Sequence, residues 1–161
     1  MHIDLICIGQ KMPSWVKSGF NEYAKRLPPS CRLNLIEIPL RKRTKNANLA
    51  RLQHQEGEQM LAAIAQGAYV IALDERGQMS NSPQLAEQLA HWMQEHSTVA
   101  LLVGGPEGLS AACLQRAQQR WSLSALTLPH QLVRIVVAEQ VYRAWSLLNN
   151  HPYHRAFQIK N

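Results

Sequence analysis

Apolar residues along this chain follow two alternating rhythms, and the alternation predicts most of its elements. Short, nearly continuous apolar runs occupy His2–Ile8, residues 69–73 and Thr98–Val103, as expected of strands buried on both faces. Residues 32–39 are also strand-like. Between these runs the apolar positions recur at helical spacing. Over residues 13–26, Val16, Phe20 and Tyr23, continued by Leu27, share one face behind a proline near the first turn. A second helix is expected from Asn46 or Asn48 to Gly67, a cap and a stop of the favoured types. Ser82-Pro83 opens a third, running to about Glu95, with serine as the cap and proline in the first turn. Ser110 caps a fourth, reaching Arg120; residues 122–128 read as a last short strand or a loop. Pro129 then begins a long apolar helix to Asn149 or Asn150.

Strand and helix alternate throughout, with no repeat, linker or low-complexity segment. That order predicts an α/β fold in one domain over residues 1–161, a mostly parallel sheet with helices on both faces. Sheets of this kind bind ligands in loops beyond the carboxyl ends of their strands. Three loops qualify: after Leu73, after Val103, and around 123–128. The last helix is apolar around much of its girth, through Leu132, Val133, Ile135, Val136, Val137, Val141 and Trp145. It needs a second surface, either a subunit partner in a homodimer or a crowded core.

Charge changes the picture more than composition does. The 161 residues are 46% hydrophobic, enough for one ordinary core, and carry a formal net charge of +6. Ten of the seventeen Lys and Arg residues fall between Lys11 and Arg51, against two acids there, Glu22 and Glu37. A field of one sign concentrates partners of the other, which points to nucleic acid, with a solvated basic face as the plainer reading. The loop Arg41-Lys42-Arg43-Thr44-Lys45 is the densest part. Cys7, Cys31 and Cys113 are odd in number and widely spaced, against a disulfide framework or a cysteine-rich zinc site. No signal segment is read at the start and no run approaches a membrane span, so the expected setting is the reducing cytoplasm, with no membrane partner.

Three segments carry candidate chemistry. Gly104-Gly105-Pro106-Glu107-Gly108 follows a strand and precedes a helix. Glycines there would let a ligand approach the backbone, and an ordinary turn is the alternative. It matches neither a dinucleotide fingerprint nor a phosphate-binding loop. Residues 121–130, from Trp121 to His130, are apolar yet rich in hydroxyls, suited to a loop reading a flat heteroaromatic ring or to a buried edge strand. The tail Asn149-Asn150-His151-Pro152-Tyr153-His154-Arg155 is dense in polar function. With no carboxylate or thiol beside its histidines, a metal is not expected, and an anionic or heteroaromatic substrate suits it better. A frayed surface tail is the alternative.

Taken together, Lys11-Met12-Pro13, Val103 to Gly108, the Trp121 to His130 stretch and Asn150 to Arg155 resemble one family in order and spacing. It is the ribosomal RNA large subunit methyltransferase H family of the SPOUT superfamily, and the likeness runs from about Ile3 to Arg155. The resemblance implies a C-terminal trefoil knot, which no local pattern could show. It also implies methylation by S-adenosylmethionine of N3 of a pseudouridine in the helix 69 loop of 23S rRNA, on assembled ribosomes. Carried across, the cofactor site comprises Leu73, Gly104, Leu123, Ser124, Ala125, Leu126, Thr127 and Leu128. The chemistry then assigns His154 as base, Arg155 as stabiliser of the anionic ring and Tyr153 as a contact to the target base, donated across a homodimer. The chain continues past the family's usual tail with Ala156-Phe157-Gln158-Ile159-Lys160-Asn161. Two other readings stay open: a SPOUT enzyme acting elsewhere, such as on a ribose 2′-hydroxyl, and a non-catalytic ribosome-binding protein.

Overall fold

The first strand, β1 (His2–Ile8), sends alternate side chains into two apolar layers, which makes it an interior strand, covered on both faces. Ile3, Leu5 and Cys7 enter one layer, Ile6 and Ile8 the other. The computed structural model describes residues 1–153. In it β1 pairs with β2 (Arg32–Ile38) on one side and β4 (Thr98–Val103) on the other. With β3 (Tyr69–Met79) and β5 (Gln119–Ser122) these form a five-stranded sheet of order β2-β1-β4-β3-β5, every pairing parallel. This is the α/β architecture the alternation predicts.

Both faces of the sheet are covered, as parallel sheets require. Helices α1 (Ser14–Ala24), α3 (Ser82–Glu95) and α5 (His130–Leu148) pack on one face through Phe20, Leu85, Leu89, Val137 and Val141. Helices α2 (Leu49–Ala63) and α4 (Ala111–Arg116) cover the other through Met60 and Cys113. Gly19 lets α1 lie close against α5, since a Cβ there would stand 2.7 Å from Cδ1 of Ile135. Much of the apolar girth of α5 is used inside the chain, with Val137, Ala138, Val141 and Ala144 in the core. Leu132 and Leu148 remain exposed, as does Trp15 on α1. Among the described residues no helix is long and apolar enough to cross a membrane.

Several boundaries differ from the local pattern, each for a physical reason. Asn48 caps α2, its side chain accepting the Arg51 N–H at 3.1 Å, but the helix stops at Ala63 where Ile64 turns extended, short of Gly67. Helix α3 is capped by Asn81 rather than Ser82, through a reciprocal pair with Gln84 that satisfies two orphan N–H groups. Helix α4 ends at Arg116, not Arg120. Gln118 donates its N–H to Val70 O and accepts the Val70 N–H on its side chain, both at 2.8 Å, so the chain joins the sheet instead. The last strand is therefore 119–122, and 123–128 is a loop. Strand β3 continues past Leu73 to Met79, with a register break: Leu73 and Gln78 both face Trp121, and 74–77 bulge between them. Gly77 permits this, because a Cβ would come within 2.7 Å of Trp121 N.

Candidate active site

Beyond the carboxyl ends of β1, β4 and β5, and beside the bulge within β3, lies a cavity of about 780 Å³, within the range of small-molecule sites. The three loops singled out from topology all border it, together with Gly9 after β1 and His130 and Val133 of α5. Of the eight expected cofactor contacts, Leu73, Gly104, Leu123, Ser124, Leu126 and Leu128 line this one cavity. Ala125 and Thr127 share the loop but are exposed and off its wall. The hydroxyls in that loop are partly structural. Ser122 Oγ donates to Ser124 O at 3.1 Å, and Ser124 Oγ accepts the Leu126 N–H at 2.9 Å, folding the segment into a side-chain-supported turn.

The glycine loop is tighter than an open cradle. Gly108 donates its N–H to Gly105 O at 3.0 Å and takes φ +80°, a turn that glycine adopts without Cβ strain. A Cβ on Gly104 would stand 2.6 Å from Leu109 N and 2.8 Å from Gly108 O. Glycine at 104 thus lets the loop close on its own backbone while lining the cavity.

Arg43 ties this loop to α2. Its guanidinium meets Glu56 at 2.6 Å through two nitrogens and Glu107 at 2.7 Å through Nη2 and 3.3 Å through Nε. Glu56 is almost wholly buried, and also accepts the Arg41 N–H at 2.7 Å. Hydrogen bonds from Arg43 hold the Glu107 carboxyl below its ordinary range. Gln53 adds a second clamp, its amide donating to the carbonyls of Glu107, Gly108 and Leu109 at 3.0, 3.2 and 3.3 Å. The expected basic surface therefore loses Arg43, whose charge is met by two carboxylates, while Arg41, Lys42 and Lys45 are exposed.

On the opposite side Arg134 is 1% exposed, pairing with Glu37 at 2.8 Å, donating to Gly9 O at 2.9 Å and to His130 Nε2 at 3.2 Å. Burial, then the Arg134 charge, lowers the His130 pKa, so the ring stays neutral with Nε2 as acceptor. Sequence reading missed this group. The only signal was one arginine amid Val133, Ile135, Val136 and Val137. Asp74 also borders the cavity, its carboxyl held low chiefly by the Arg76 N–H at 3.0 Å. Among the described residues the one buried side-chain polar atom without a partner is Trp121 Nε1, and Trp121 belongs to the cavity wall.

The tail stands apart. The Tyr153 hydroxyl donates to Glu139 Oε1 at 3.0 Å, its ring 4.8 Å from that of Tyr142 and 5.0 Å from the Arg143 guanidinium. Burial first, then the Glu139 carboxylate, pushes its pKa up to about 12, so the phenol keeps its proton at neutral pH. Glu139 lies nine residues beyond His130 on α5, roughly 13 Å along the helix axis, so Tyr153 is not on the wall of its own chain's cavity. His154 and Arg155 lie outside the described residues. Among the described residues no group of three His, Cys, Asp or Glu side chains is arranged to hold a metal ion.

Comparison with known proteins places this geometry. The family model described as "Predicted SPOUT methyltransferase" matches residues 1–154. A protein of Methylococcus capsulatus named ribosomal RNA large subunit methyltransferase H is 55% identical over 155 residues, 96% of this chain and 100% of that one. Proteins of the same name from Hahella chejuensis and Thioalkalivibrio sulfidiphilus are 54% and 56% identical, each over 96% of this chain and 99% of their own. Among solved structures, a probable methylase family protein from Haemophilus influenzae matches with a TM-score of 0.54 at 12% identity, over 97% of this chain and 70% of that one, a likeness of fold. With a family match along nearly its whole length and relatives sharing more than half its residues, the chain belongs to the SPOUT methyltransferase family.

Proposed function

We propose that this protein transfers the methyl group of S-adenosylmethionine to N3 of a pseudouridine in the helix 69 loop of 23S rRNA, on assembled ribosomes in the cytoplasm, as a homodimer. The observation that carries the reading is the convergence of three strand-end loops on one cavity, in a chain whose relatives are named for methylating large-subunit ribosomal RNA.

The cavity suits the cofactor. Its walls of Leu73, Val103, Leu123 and Leu128 are apolar, and its rim carries the carboxylate of Asp74. Leu73, Gly104 and the 123–128 loop would hold it. When bound, S-adenosylmethionine supplies a methyl group that is already electrophilic. What the protein adds is alignment and management of a proton. The apolar walls exclude water, and the clamped glycine loop keeps the wall fixed. N3 of pseudouridine carries a proton that must leave; His154 accepts it and Arg155 stabilises the negative ring. Tyr153, held protonated against Glu139, contacts the target base. Because Tyr153 sits away from its own chain's cavity, these residues serve the partner's site. The trefoil knot belongs to the same reading.

The test is methyl transfer from labelled S-adenosylmethionine to ribosomes, followed by mapping of the modified nucleotide. Label on N3 of one pseudouridine is expected. Label on a ribose 2′-hydroxyl would replace the acceptor, and no label with retained ribosome binding would make this a non-catalytic protein. Sedimentation at low micromolar concentration should show a dimer; an active monomer would remove the shared site.

A further inference from the structure

We infer that Arg43 is a positioning residue for the cofactor cavity: anchored from behind by buried Glu56, it fixes Glu107 and with it the 104–108 wall. The inference rests on the proposed cofactor role of that cavity.

A guanidinium has five N–H donors in a rigid planar fork. All five find acceptors here. Nε donates to Glu107, Nη1 to Arg41 O and Glu56, and Nη2 to Glu56 and Glu107, at 2.6 to 3.3 Å. No other side chain can do this, because lysine offers three donors from a single point and cannot span two carboxylates edge-on. The anchor is firm. Glu56 is 3% exposed in the middle of α2, and its oxygens face Arg43 and the Arg41 N–H. Glu107, in contrast, is on the cavity wall and sits in the tight turn between Gly105 and Gly108. Carbonyls on three successive residues of the same loop are taken by Gln53, five residues after the cap Asn48 on the first turns of α2. The wall is thus held from one helix at two points. A wall fixed before the ligand arrives spares the ligand the cost of ordering it, which is how a residue outside the reacting atoms changes affinity.

The predicted signature is a split between binding and turnover. Arg43→Lys keeps the charge that buried Glu56 requires but loses the fork. Glu107→Gln leaves the Arg43–Glu56 pair intact and loosens only the wall, so it stays folded if the lysine variant does not. Calorimetry should show S-adenosylmethionine affinity reduced about tenfold or more in Arg43→Lys and by a smaller factor in Glu107→Gln. Turnover of Arg43→Lys at saturating cofactor should stay within about twofold of wild type, as expected when ground-state binding alone is lost. Hydrogen exchange of the Gly108 amide, which needs no cofactor, should quicken about tenfold in both. A merely structural arginine would lower the melting temperature with affinity and exchange at Gly108 unchanged, and that result overturns the inference. If the unmodified protein binds no S-adenosylmethionine, the functional reading falls, while the exchange measurement still decides whether Arg43 fixes the wall.

Discussion

Gly104→Ala adds one methyl group where the loop's own backbone already stands. The new carbon would lie 2.6 Å from Leu109 N and 2.8 Å from Gly108 O, whereas ordinary contact begins at 3.4 Å. The Gly108 carbonyl carbon stands closer still, so the loop must open by at least about 0.8 Å, a displacement of the size that overpacking forces at about 1–3 kcal/mol. The neighbours are backbone, not the tips of flexible side chains, and Gln53 and Arg43 hold that backbone in place. The upper half of the range is expected, near 2–3 kcal/mol. For a chain of this size each kcal/mol moves the melting temperature by about 2–4 °C, so a drop of roughly 4–12 °C should appear in a thermal scan. Affinity for S-adenosylmethionine should fall with it, by at least about tenfold, since Gly104 lines the cavity. Gly67→Ala is the control. Gly67 takes φ +77° with nothing within 4 Å of its missing Cβ, so alanine there costs only backbone strain and leaves affinity untouched. A Gly104→Ala protein that melts and binds like wild type would show that the loop has slack, and the steric argument would be wrong.

Three further outcomes are expected. Replacing Arg41, Lys42 and Lys45 by glutamine while sparing Arg43 should reduce the salt dependence of ribosome binding, by roughly 0.7–0.9 in log–log slope per lost phosphate contact, with cofactor affinity unchanged by calorimetry; an unaltered slope would place the RNA surface elsewhere. Arg134→Met should destabilise by about 2–4 kcal/mol in chemical denaturation, because Glu37 loses its partner while Gly9 O and His130 lose donors; a change under about 0.5 kcal/mol would refute that accounting. Since Arg43 depresses Glu107 in the folded state, its contribution is complete above the ordinary value of 4.5 and is lost as pH falls through the lower folded value. Denaturation midpoints followed from about pH 7 to about pH 3 should show a shallower acid limb in Glu107→Gln than in wild type, and identical limbs would discount the latch.

The strands were legible because burial on two faces leaves so little choice of residue: Val99 to Val103 are all buried, and all apolar. Topology followed from their alternation with helices, and the strand-end loops followed from topology. Boundaries set by distant partners were not legible. Helix α4 stops at Arg116 because Gln118 meets Val70, 48 residues away, and nothing near Gln118 announces it. The same holds for charge. Arg43 reads as one more cation in a basic run until the fold brings up Glu56 and Glu107, 13 and 64 residues on. Arg134 reads as a flaw in an apolar helix until Glu37 and Gly9 arrive from the strand side. Gly104 was found for its type, but its reason for being glycine emerged only from where Gly108 and Leu109 lie.

The shared partner of Leu73 and Gln78 has a consequence for how this protein can change over evolutionary time. Because Trp121 faces both residues, the four between them leave the sheet and return to the same rung. The length of that excursion is therefore decoupled from the alignment of every strand around it. Residues inserted between Asp74 and Arg76 enlarge a loop that borders the cavity, yet shift no side chain from one face of the sheet to the other. Elsewhere in β3 a single insertion would invert the pattern of the strand. This site is where a lineage can elaborate the mouth of its pocket without rebuilding the floor.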